Sequence, residues 1–355
     1  MSIKRIVAGV TAVCVMGTVL PCAYGKTADN AAITASAADY TEDTEGVLTY
    51  RNYGDFIKIT DCERGVTEVD IPAEINGLPV TGIGVFAFGD CQNLMNVTIP
   101  NSVTSIGSSA FCRCEWLTQI TIPNSVTIIE GYAFEDTNLT EITIPDSVTE
   151  IGENAFIGTP WLKAKQADDP LVIANGILID GTTCSGDVVI PDSVVSISES
   201  AFYECKGLTK ITIPDSVERI GLGAFGNCAE LQEITVLNPD CTIFDLDGTL
   251  GEIAAIYGYD NSTAQSYAEK YGRKFVSLGE APKKDILGDV NGDGMVDSSD
   301  ASLVLTEYAM LSTGGNGNFS ESVKKLADFD KDGTIDSSDA SLILAYYAHV
   351  STGGK

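Results

Sequence analysis

Apolar and polar positions in the middle of the chain recur with a period of 22 or 23 residues. A segment such as Ile120-Thr121-Ile122 alternates apolar and polar residues, which predicts a strand with one inward face. Pro123 then ends the strand, because proline has no N–H to give to a ladder. The phrase Ile-Pro-Asn/Asp-Ser-Val begins at residues 99, 122, 144, 190 and 213. Strands are predicted at 69–71, 97–99, 120–122, 142–144, 188–190, 211–213 and 234–236.

Each repeat continues with an isoleucine, an Ala-Phe pair, a Cys or Thr, and a leucine. One repeat cannot bury these side chains alone, but stacked repeats place like on like and build a continuous core. A period near 23 lies in the range of leucine-rich repeats. The predicted fold is therefore a leucine-rich repeat solenoid, mainly β, of stacked coils of about 23 residues.

The repeated elements resemble bacterial leucine-rich repeats of the BspA-like, surface-antigen type over roughly residues 45–278. The resemblance implies a recognition face on the solenoid, whose protein or surface ligand the sequence does not name. Residues 160–187 interrupt the period and are predicted to form a hairpin-like insert ending near Gly181. Residues 237–278 lose the repeat and are predicted to form a cap with a short helix over 263–271.

One position of the repeat holds a cysteine in four coils and a threonine in two. A site that accepts either residue requires a small side chain with a weak donor near a turn, which does not indicate a metal site. Parallel Cβ vectors on stacked coils also fit a disulfide poorly. We therefore expect buried thiols at Cys91, Cys114, Cys205 and Cys228, equivalent to Thr137 and Thr159.

Two acidic loops of twelve residues lie in the C-terminal tail, 39 residues apart. Oxygen side chains at positions 1, 3, 5, 9 and 12, with Gly at position 6, form the EF-hand ligand layout, in which position 7 contributes its backbone carbonyl. The layout predicts two calcium ions. The predicted ligands are Asp289, Asn291, Asp293, Met295, Asp297 and Asp300 in the first loop, and Asp328, Asp330, Asp332, Thr334, Asp336 and Asp339 in the second.

Position 12 is Asp where an EF-hand has Glu, no helix is predicted before the first loop, and Ser-Ser stands at positions 10 and 11. With the flanking Ala-Ser-Leu helices, these features resemble the dockerin family over residues 288–355, a small all-α, duplicated EF-hand-like module. The resemblance implies binding to a cohesin domain of a scaffoldin in a cellulosome-type assembly. It assigns partner contacts to Ser298, Ser299, Ser337 and Ser338, on helices predicted at 301–311 and 340–350, with a connecting helix at 320–326. Because the two halves are nearly identical, we expect that either half can face the cohesin.

The N-terminus has the pattern of a secretory signal, with Lys4 and Arg5 before an apolar run at 6–20 and small residues after it. Cleavage is predicted after residue 25 or 37. No other stretch is long and apolar enough for a membrane span. A net charge of -29 argues against nucleic acid and anionic membranes as partners. The predicted organisation is signal and leader at 1–37, solenoid with caps at 38–279, linker at 280–287 and dockerin-like domain at 288–355.

The sequence offers little for catalysis. His349 is the only histidine. Residues 244–250 match the first motif of haloacid-dehalogenase-type phosphatases, in which Asp245 and Asp247 would be nucleophile and general acid. The 40 or so residues that follow are too few for that family's sheet, so we interpret the motif as a capping turn. The predicted function is a non-catalytic, secreted component that a scaffoldin displays at or near the cell surface. The alternative is a hydrolase of a polysaccharide-degrading assembly whose active site, in the repeat region, is unrecognised.

Overall fold

The computed structural model describes residues 40–282 and 285–352, and the chain divides after Ser277 into two compact units. The predicted signal and both cleavage positions lie outside the described residues. The first unit holds all the described strands and two helices. The first half has β1 (Thr41–Glu45), β2 (Leu48–Asn52), β3 (Ile57–Cys62), β4 (Glu68–Asp70), β5 (Glu74–Ile75), β6 (Leu78–Ile83), β7 (Asn96–Thr98), β8 (Ser105–Ile106), β9 (Gln119–Thr121), β10 (Ile128–Ile129), β11 (Glu141–Thr143) and β12 (Glu150–Ile151). The second half has β13 (Val172–Ala174), β14 (Ile177–Asp180), β15 (Ser185–Val189), β16 (Ser196–Ile197), β17 (Gly207–Ile213), β18 (Arg219–Ile220), β19 (Glu233–Val236), β20 (Thr242–Ile243), β21 (Ala255–Gly258) and β22 (Phe275–Ser277).

The strands build a β-solenoid of about ten coils, which confirms the predicted fold class. The predicted strands overlap β4, β7, β9, β11, β15, β17 and β19, most of them displaced by one residue. We call this row, with β21 and β22, the first ladder. Its parallel pairing places equivalent residues side by side, as in Ile120 with Ile142 and Ile211 with Ile234.

A second ladder, which the sequence did not predict, runs along another side of the coils. It consists of β3, β6, β8, β10 and β12, and after the insert of β14, β16, β18 and β20. Most of these strands have only two residues, such as Ser105–Ile106, and pair in parallel with the same register in each coil. At its N-terminal end, β1, β2 and β3 pair antiparallel and close the edge of the sheet.

The core is a stack of equivalent side chains. The rings of Phe88, Phe111, Phe134 and Phe156 lie on one another with centroids 5.0, 5.4 and 5.5 Å apart in turn. Phe202 and Phe225 continue the stack beyond the insert at 4.9 Å. Offset stacking at this spacing adds to the burial of each ring. The Ala-Phe pair of each repeat is therefore the centre of its coil.

Two positions of most coils have a left-handed backbone, mostly at residues other than glycine. The first is occupied by Ser109 (φ 54°) and Tyr132 (φ 59°), and the second by Arg113 (φ 58°) and Asp136 (φ 53°). This conformation costs roughly 1–2 kcal/mol for an L-residue. The N–H of each donates to a carbonyl of the next coil, as Ser109 does to Gly131 at 2.9 Å. Stacking thus holds a conformation that an isolated coil would not keep.

The insert is a helix followed by a hairpin. Helix α1 (Pro160–Asp168) was not predicted, although Thr159 caps it by accepting from the Leu162 N–H at 3.1 Å and Pro160 stands in its first turn. Strands β13 and β14 pair antiparallel, which confirms the predicted hairpin. In the cap, helix α2 (Thr263–Lys270) matches the prediction to within one residue.

The eight cysteines of the described residues are free and buried. The repeat position that holds Cys or Thr was expected to be a weak hydrogen-bond donor, and this is confirmed. Cys114 Sγ lies 3.1 Å from the Phe88 carbonyl oxygen, and Cys228 Sγ lies 3.0 Å from that of Phe202. Thr137 Oγ1 donates to the Phe134 carbonyl of its own coil at 3.0 Å, so both residue types are donors at this position, although these cysteines reach the preceding coil.

Replacing Glu199 with Gln is expected to stabilise the solenoid at neutral pH. Burial raises the pKa of Glu199 above its ordinary value, and the neighbouring Glu153 carboxylate raises it further. Folding therefore favours the protonated form, whose stabilising contribution is lost as pH rises through the folded pKa. Urea titrations should give Glu199→Gln the higher midpoint at pH 7, with the difference closing below about pH 4.

The exposed Glu115 provides a matched control, since Glu115→Gln should change the midpoint little at either pH. A gain for Glu199→Gln of equal size at pH 4 and pH 7 would contradict the electrostatic explanation.

The second unit is formed by three described helices, α3 (Ser298–Ser312), α4 (Glu321–Ala327) and α5 (Ser337–Ser351). Helices α3 and α5 begin three residues earlier than predicted, because each loop's position 9 is the N-cap. Their shared core is small and includes Val290, Val304 and Ile343. Such a core gives this unit little hydrophobic stabilisation of its own.

Candidate metal-binding loops and partner surface

The two acidic loops have nearly the same backbone. Asp297 and Asp336, at position 9, have φ/ψ of -142°/-165° and -143°/-164°. Each accepts from the N–H two residues later, that of Ser299 or Ser338, at 2.6 Å. For Asp297 the backbone hydrogen bond from Ser299 is the largest cause that lowers the pKa, so the carboxylate stays ionised.

Backbone N–H groups fold the first loop around Asp289. Its Oδ1 accepts from the N–H groups of Gly292 and Asp293 at 2.8 and 3.1 Å, and its Oδ2 accepts from Gly294 at 2.8 Å. Gly294 has φ 92°, a value that L side chains rarely adopt, so glycine is required for this turn. These hydrogen bonds fold the backbone of the first loop over the Asp289 carboxylate.

The second loop brings three carboxylates close together. One oxygen each of Asp328, Asp330 and Asp332 lies within 4.8 Å of the others. Asp328 Oδ2 accepts from the Gly333 N–H at 3.0 Å, but Asp328 Oδ1 is buried with no hydrogen-bond partner in the described part of the chain. A buried carboxylate oxygen without a donor is costly unless a cation faces it.

Electrostatics in the second loop also favours a cation. The backbone hydrogen bond from Asp332 lowers the pKa of Asp330, yet desolvation and the carboxylates of Asp332, Asp339 and Asp328 outweigh it, so the net shift is upward. Hard oxygen ligands with this spacing suit Ca²⁺. The donor set fits the ion that the sequence predicts.

The Asp at position 12 ties the start of each loop to its end. Asp300 Oδ1 accepts from the N–H groups of Val290 and Asn291 at 2.8 and 3.0 Å, while Oδ2 accepts from Asp297 at 2.9 Å. Asp339 does the same in the second loop. Both residues complete capping boxes for α3 and α5 and are 0% and 1% exposed. Sequence reasoning assigned them only to metal and missed this second role.

The two helices that follow the loops expose apolar side chains at equivalent positions. Large apolar residues with 38–50% exposure recur 39 residues apart. They are Leu303, Leu305, Tyr308 and Leu311 on α3, and Leu342, Leu344, Tyr347 and Val350 on α5. We call these eight residues the paired helix faces. Exposed apolar groups repeated on two helices of one small unit indicate a surface for a protein partner.

One buried position breaks this symmetry. Glu307 of α3 is 1% exposed and accepts from the N–H groups of Asn318 and Phe319 at 2.7 and 3.1 Å. The equivalent residue of α5 is Tyr346, whose ring lies 6.0 Å from that of Phe329. Glu307 holds the connection to α4, whereas Tyr346 is 46% exposed and gives α5 an apolar side chain that α3 lacks.

The phosphatase-like segment lies in the cap of the solenoid. Asp245 is ion-paired with Lys270 and accepts from the Tyr271 hydroxyl at 2.9 Å, while Asp247 lies 2.6 Å from Arg273. The pKa of Asp245 is lowered, chiefly by the Lys270 hydrogen bond. These carboxylates hold the turn against the end of α2, which agrees with its interpretation as a capping turn.

Comparisons with known proteins match two separate parts of the chain. The family model for BspA type leucine rich repeats matches six copies over residues 62–170 and 181–245, and the model for the dockerin type I domain matches residues 287–346. No curated protein matches the chain.

Solved structures of leucine-rich repeat proteins are similar to this chain. The T. pallidum Leucine Rich Repeat protein is 26% identical, with 68% of this chain and 100% of that chain covered and a TM-score of 0.35. A protein from Bacteroides ovatus is 23% identical, covering 65% of this chain and 51% of that chain at a TM-score of 0.33. One from Bacteroides capillosus is 33% identical, covering 34% and 93% at a TM-score of 0.30.

Type I dockerin domains in general bind calcium and a cohesin partner, and the two domain types support a non-catalytic role in protein interaction. Both domain types suggest an extracellular protein. Over residues 40–282 and 285–352, no helix combines the length and apolar character needed to cross a bilayer. The chain belongs to the proteins that join BspA-type leucine-rich repeats to a C-terminal type I dockerin domain.

Proposed function

We propose that this protein is a secreted, non-catalytic component of a cellulosome-type assembly, attached to a scaffoldin through its dockerin. Each loop holds one Ca²⁺ through six of the twelve predicted ligands. Met295 and Thr334 contribute their backbone carbonyl oxygens. The ion cross-links carboxylates that otherwise repel and fixes the start of α3 or α5. The orphaned Asp328 Oδ1 is the observation that supports a bound ion most directly.

We infer that a cohesin binds the paired helix faces in either of two orientations. Each residue of the paired helix faces on α3 has a counterpart on α5, Tyr346 of α5 being an additional exposed apolar side chain, and Ser298-Ser299 and Ser337-Ser338 stand at the same helix starts. A rotation that exchanges the helices would therefore offer a cohesin nearly the same surface. This repetition is the observation that carries the proposal of a dual binding mode.

Changing both residues of one serine pair to Gln is expected to leave cohesin affinity within about threefold, because the other helix start still binds. Changing both pairs is expected to weaken binding by at least about 100-fold, or roughly 3 kcal/mol. Calorimetry of the full chain in calcium against a panel of type I cohesins measures both. Gln keeps the charge beside the loops unchanged.

A matched control is Ser312→Gln, at the far end of α3 and away from the loop exits. Loss of binding on changing Ser298 and Ser299 alone would exclude the dual mode. It would not contradict the proposal that the dockerin binds a cohesin. Failure of every cohesin to bind the calcium-loaded chain would exclude the assembly role.

We propose that the solenoid displays a recognition face on its first ladder. A shallow groove of about 460 Å³ crosses β7, β9 and β11, and its outward side chains are polar. They are Asn96, Thr98, Gln119, Thr121, Glu141 and Thr143. Pull-down from an extracellular extract by the full chain, with and without Gln119→Arg, tests this face. If the unaltered chain and Gln119→Arg retain a ligand equally, recognition lies on another face of the solenoid.

A further inference from the structure

The groove on the first ladder has a floor of hydrogen-bonding side chains that carry almost no charge. Its six outward side chains on β7, β9 and β11 are all exposed, and five of them are neutral amides or hydroxyls. None of the six forms a side-chain hydrogen bond or an ion pair with another residue of the ranges 40–282 and 285–352. Their polar groups are therefore open to a ligand. They are Asn96, Thr98, Gln119, Thr121, Glu141 and Thr143.

Positive charge is scarce in the coils that form this groove. Between Arg64 and Lys163 the sequence contains a single cationic residue, Arg113, and its guanidinium pairs with Asp90 at 2.8 Å. The chain as a whole has a net charge of -29. A sulfated or uronate-containing polymer would therefore gain no attraction from these coils, and the groove suits a neutral ligand.

Beyond the insert, the same outward position of the first ladder is charged. Asp187, Lys210 and Glu233 pair in register there, where the groove has Gln119. Lys210 and Glu233 form an ion pair at 3.0 Å, and Asp187 accepts from the Thr209 hydroxyl at 3.0 Å. These side chains already have partners within the protein, whereas the neutral side chains of the groove do not.

An exposed tryptophan stands beside the floor of the groove. The side chain of Trp116 is 60% exposed, whereas the other tryptophan, Trp161, is 8% exposed and packs on Phe156. Trp116 precedes Gln119 by three residues, so their Cα atoms are at most about 11 Å apart. An indole left in water gives up the free energy of burying its apolar area, and such rings are frequent at binding surfaces.

Two coils hold the turn that carries this indole. The Leu117 N–H donates to the Cys114 carbonyl oxygen at 3.0 Å and closes the turn. The Asn138 side chain of the next coil donates to the Glu115 carbonyl oxygen at 2.5 Å. Met95, just before β7, is 48% exposed and adds a second apolar side chain where the strands begin. The groove thus has a polar floor and an apolar rim on a braced turn.

We propose that this groove binds a neutral, extended polysaccharide chain, with Trp116 as the stacking platform for one sugar ring. The inference rests on the proposed recognition face and names its ligand class. A pyranose ring has an apolar C–H face, which suits an indole. Its edge carries hydroxyl groups that both donate and accept hydrogen bonds, as the amide and threonine side chains of the floor do.

The repetition of the coils sets the direction of the bound chain. Neighbouring strands of the ladder lie about 4.8 Å apart, which is close to the length of one sugar in an extended chain. A straight polysaccharide along the stack would therefore meet Thr98, Thr121 and Thr143 in succession. This row favours a ribbon-like β-1,4-linked chain over a coiled α-linked one.

The test is calorimetry of the full, calcium-loaded chain with cellohexaose, xylohexaose and mannohexaose, and with maltohexaose as the coiled counterpart. At least one β-1,4-linked probe is expected to bind, at least about tenfold more tightly than maltohexaose. Its affinity should change less than about twofold between about 50 and about 500 mM NaCl, because no charges are paired. Trp116→Ala should weaken binding at least about tenfold. Phe244→Ala, which removes an exposed ring in the cap, is the matched control and should retain the affinity.

Fluorescence of the unaltered chain gives a second readout that no variant's folding can disturb. Acrylamide should quench the exposed Trp116 more than the buried Trp161, and the bound probe should protect Trp116. The inference is overturned if no β-1,4-linked probe binds, or if Trp116→Ala binds as tightly as the unaltered chain. If no probe binds but Gln119→Arg loses a protein in the pull-down, the recognition face stands and its ligand is a protein.

Discussion

Chelation of calcium from the full chain is expected to unfold the dockerin and leave the solenoid intact. The first loop gathers four carboxylates and the second gathers five. Without the ion they repel one another, and a core built around Val290, Val304 and Ile343 offers little to offset this. Excess EDTA should remove most of the helical signal in far-UV circular dichroism, because α3 and α5 are the longest described helices.

Restoring Ca²⁺ should recover the signal, whereas Mg²⁺ should recover less, since it prefers a smaller octahedral shell. Asp328→Ala removes a predicted calcium ligand, so calcium should restore less of the folded state in this variant. Its spectra with and without calcium should therefore converge. The matched control is Asp285→Ala, an acidic residue outside both loops. A dockerin that keeps its full helical signal in EDTA would contradict the coupling of metal to folding.

Phe134→Ala is expected to destabilise the solenoid by about 3–5 kcal/mol. Phe134 is fully buried, and its ring stacks on Phe111 at 5.4 Å and on Phe156 at 5.5 Å. Removal leaves a cavity in the middle of the stack, where neighbouring coils on both sides prevent collapse. Urea unfolding followed by the β signal measures the loss of unfolding free energy.

Phe244→Ala is the comparison, because that ring is 41% exposed and lies in the cap. It should cost less than about 1 kcal/mol. Equal losses for the two variants would mean that the phenylalanine stack does not determine the stability of the solenoid.

The sequence predicted those strands that carry their own signal. Alternation around Ile120 and a following proline locate β9 to within one residue, and the same holds for most of the first ladder. The second ladder carries no such signal. Its strands present one inward residue, such as Ile106, and their partners lie a full repeat away. Pairing over that separation comes from stacking, so local patterns do not reveal it.

The acidic loops were predictable because a metal imposes fixed spacing on its ligands. Their hydrogen bonding was not. Asp300 was predicted to bind metal, yet its buried carboxylate also joins the start of the loop to the cap of α3. Contacts between residues at different positions of a loop or repeat are seen only in the three-dimensional structure.

The left-handed residues of each coil set how this solenoid can change in evolution. A position such as Tyr132 keeps its strained conformation because its N–H reaches Glu153, in the next coil. An insertion or deletion of a few residues would leave that donor opposite the wrong acceptor. Gain or loss of a complete coil restores every pairing and leaves the stack of phenylalanines in register. The heritable unit of growth is therefore the whole repeat, and other insertions are tolerated only where, as with α1 and its hairpin, they leave the stack.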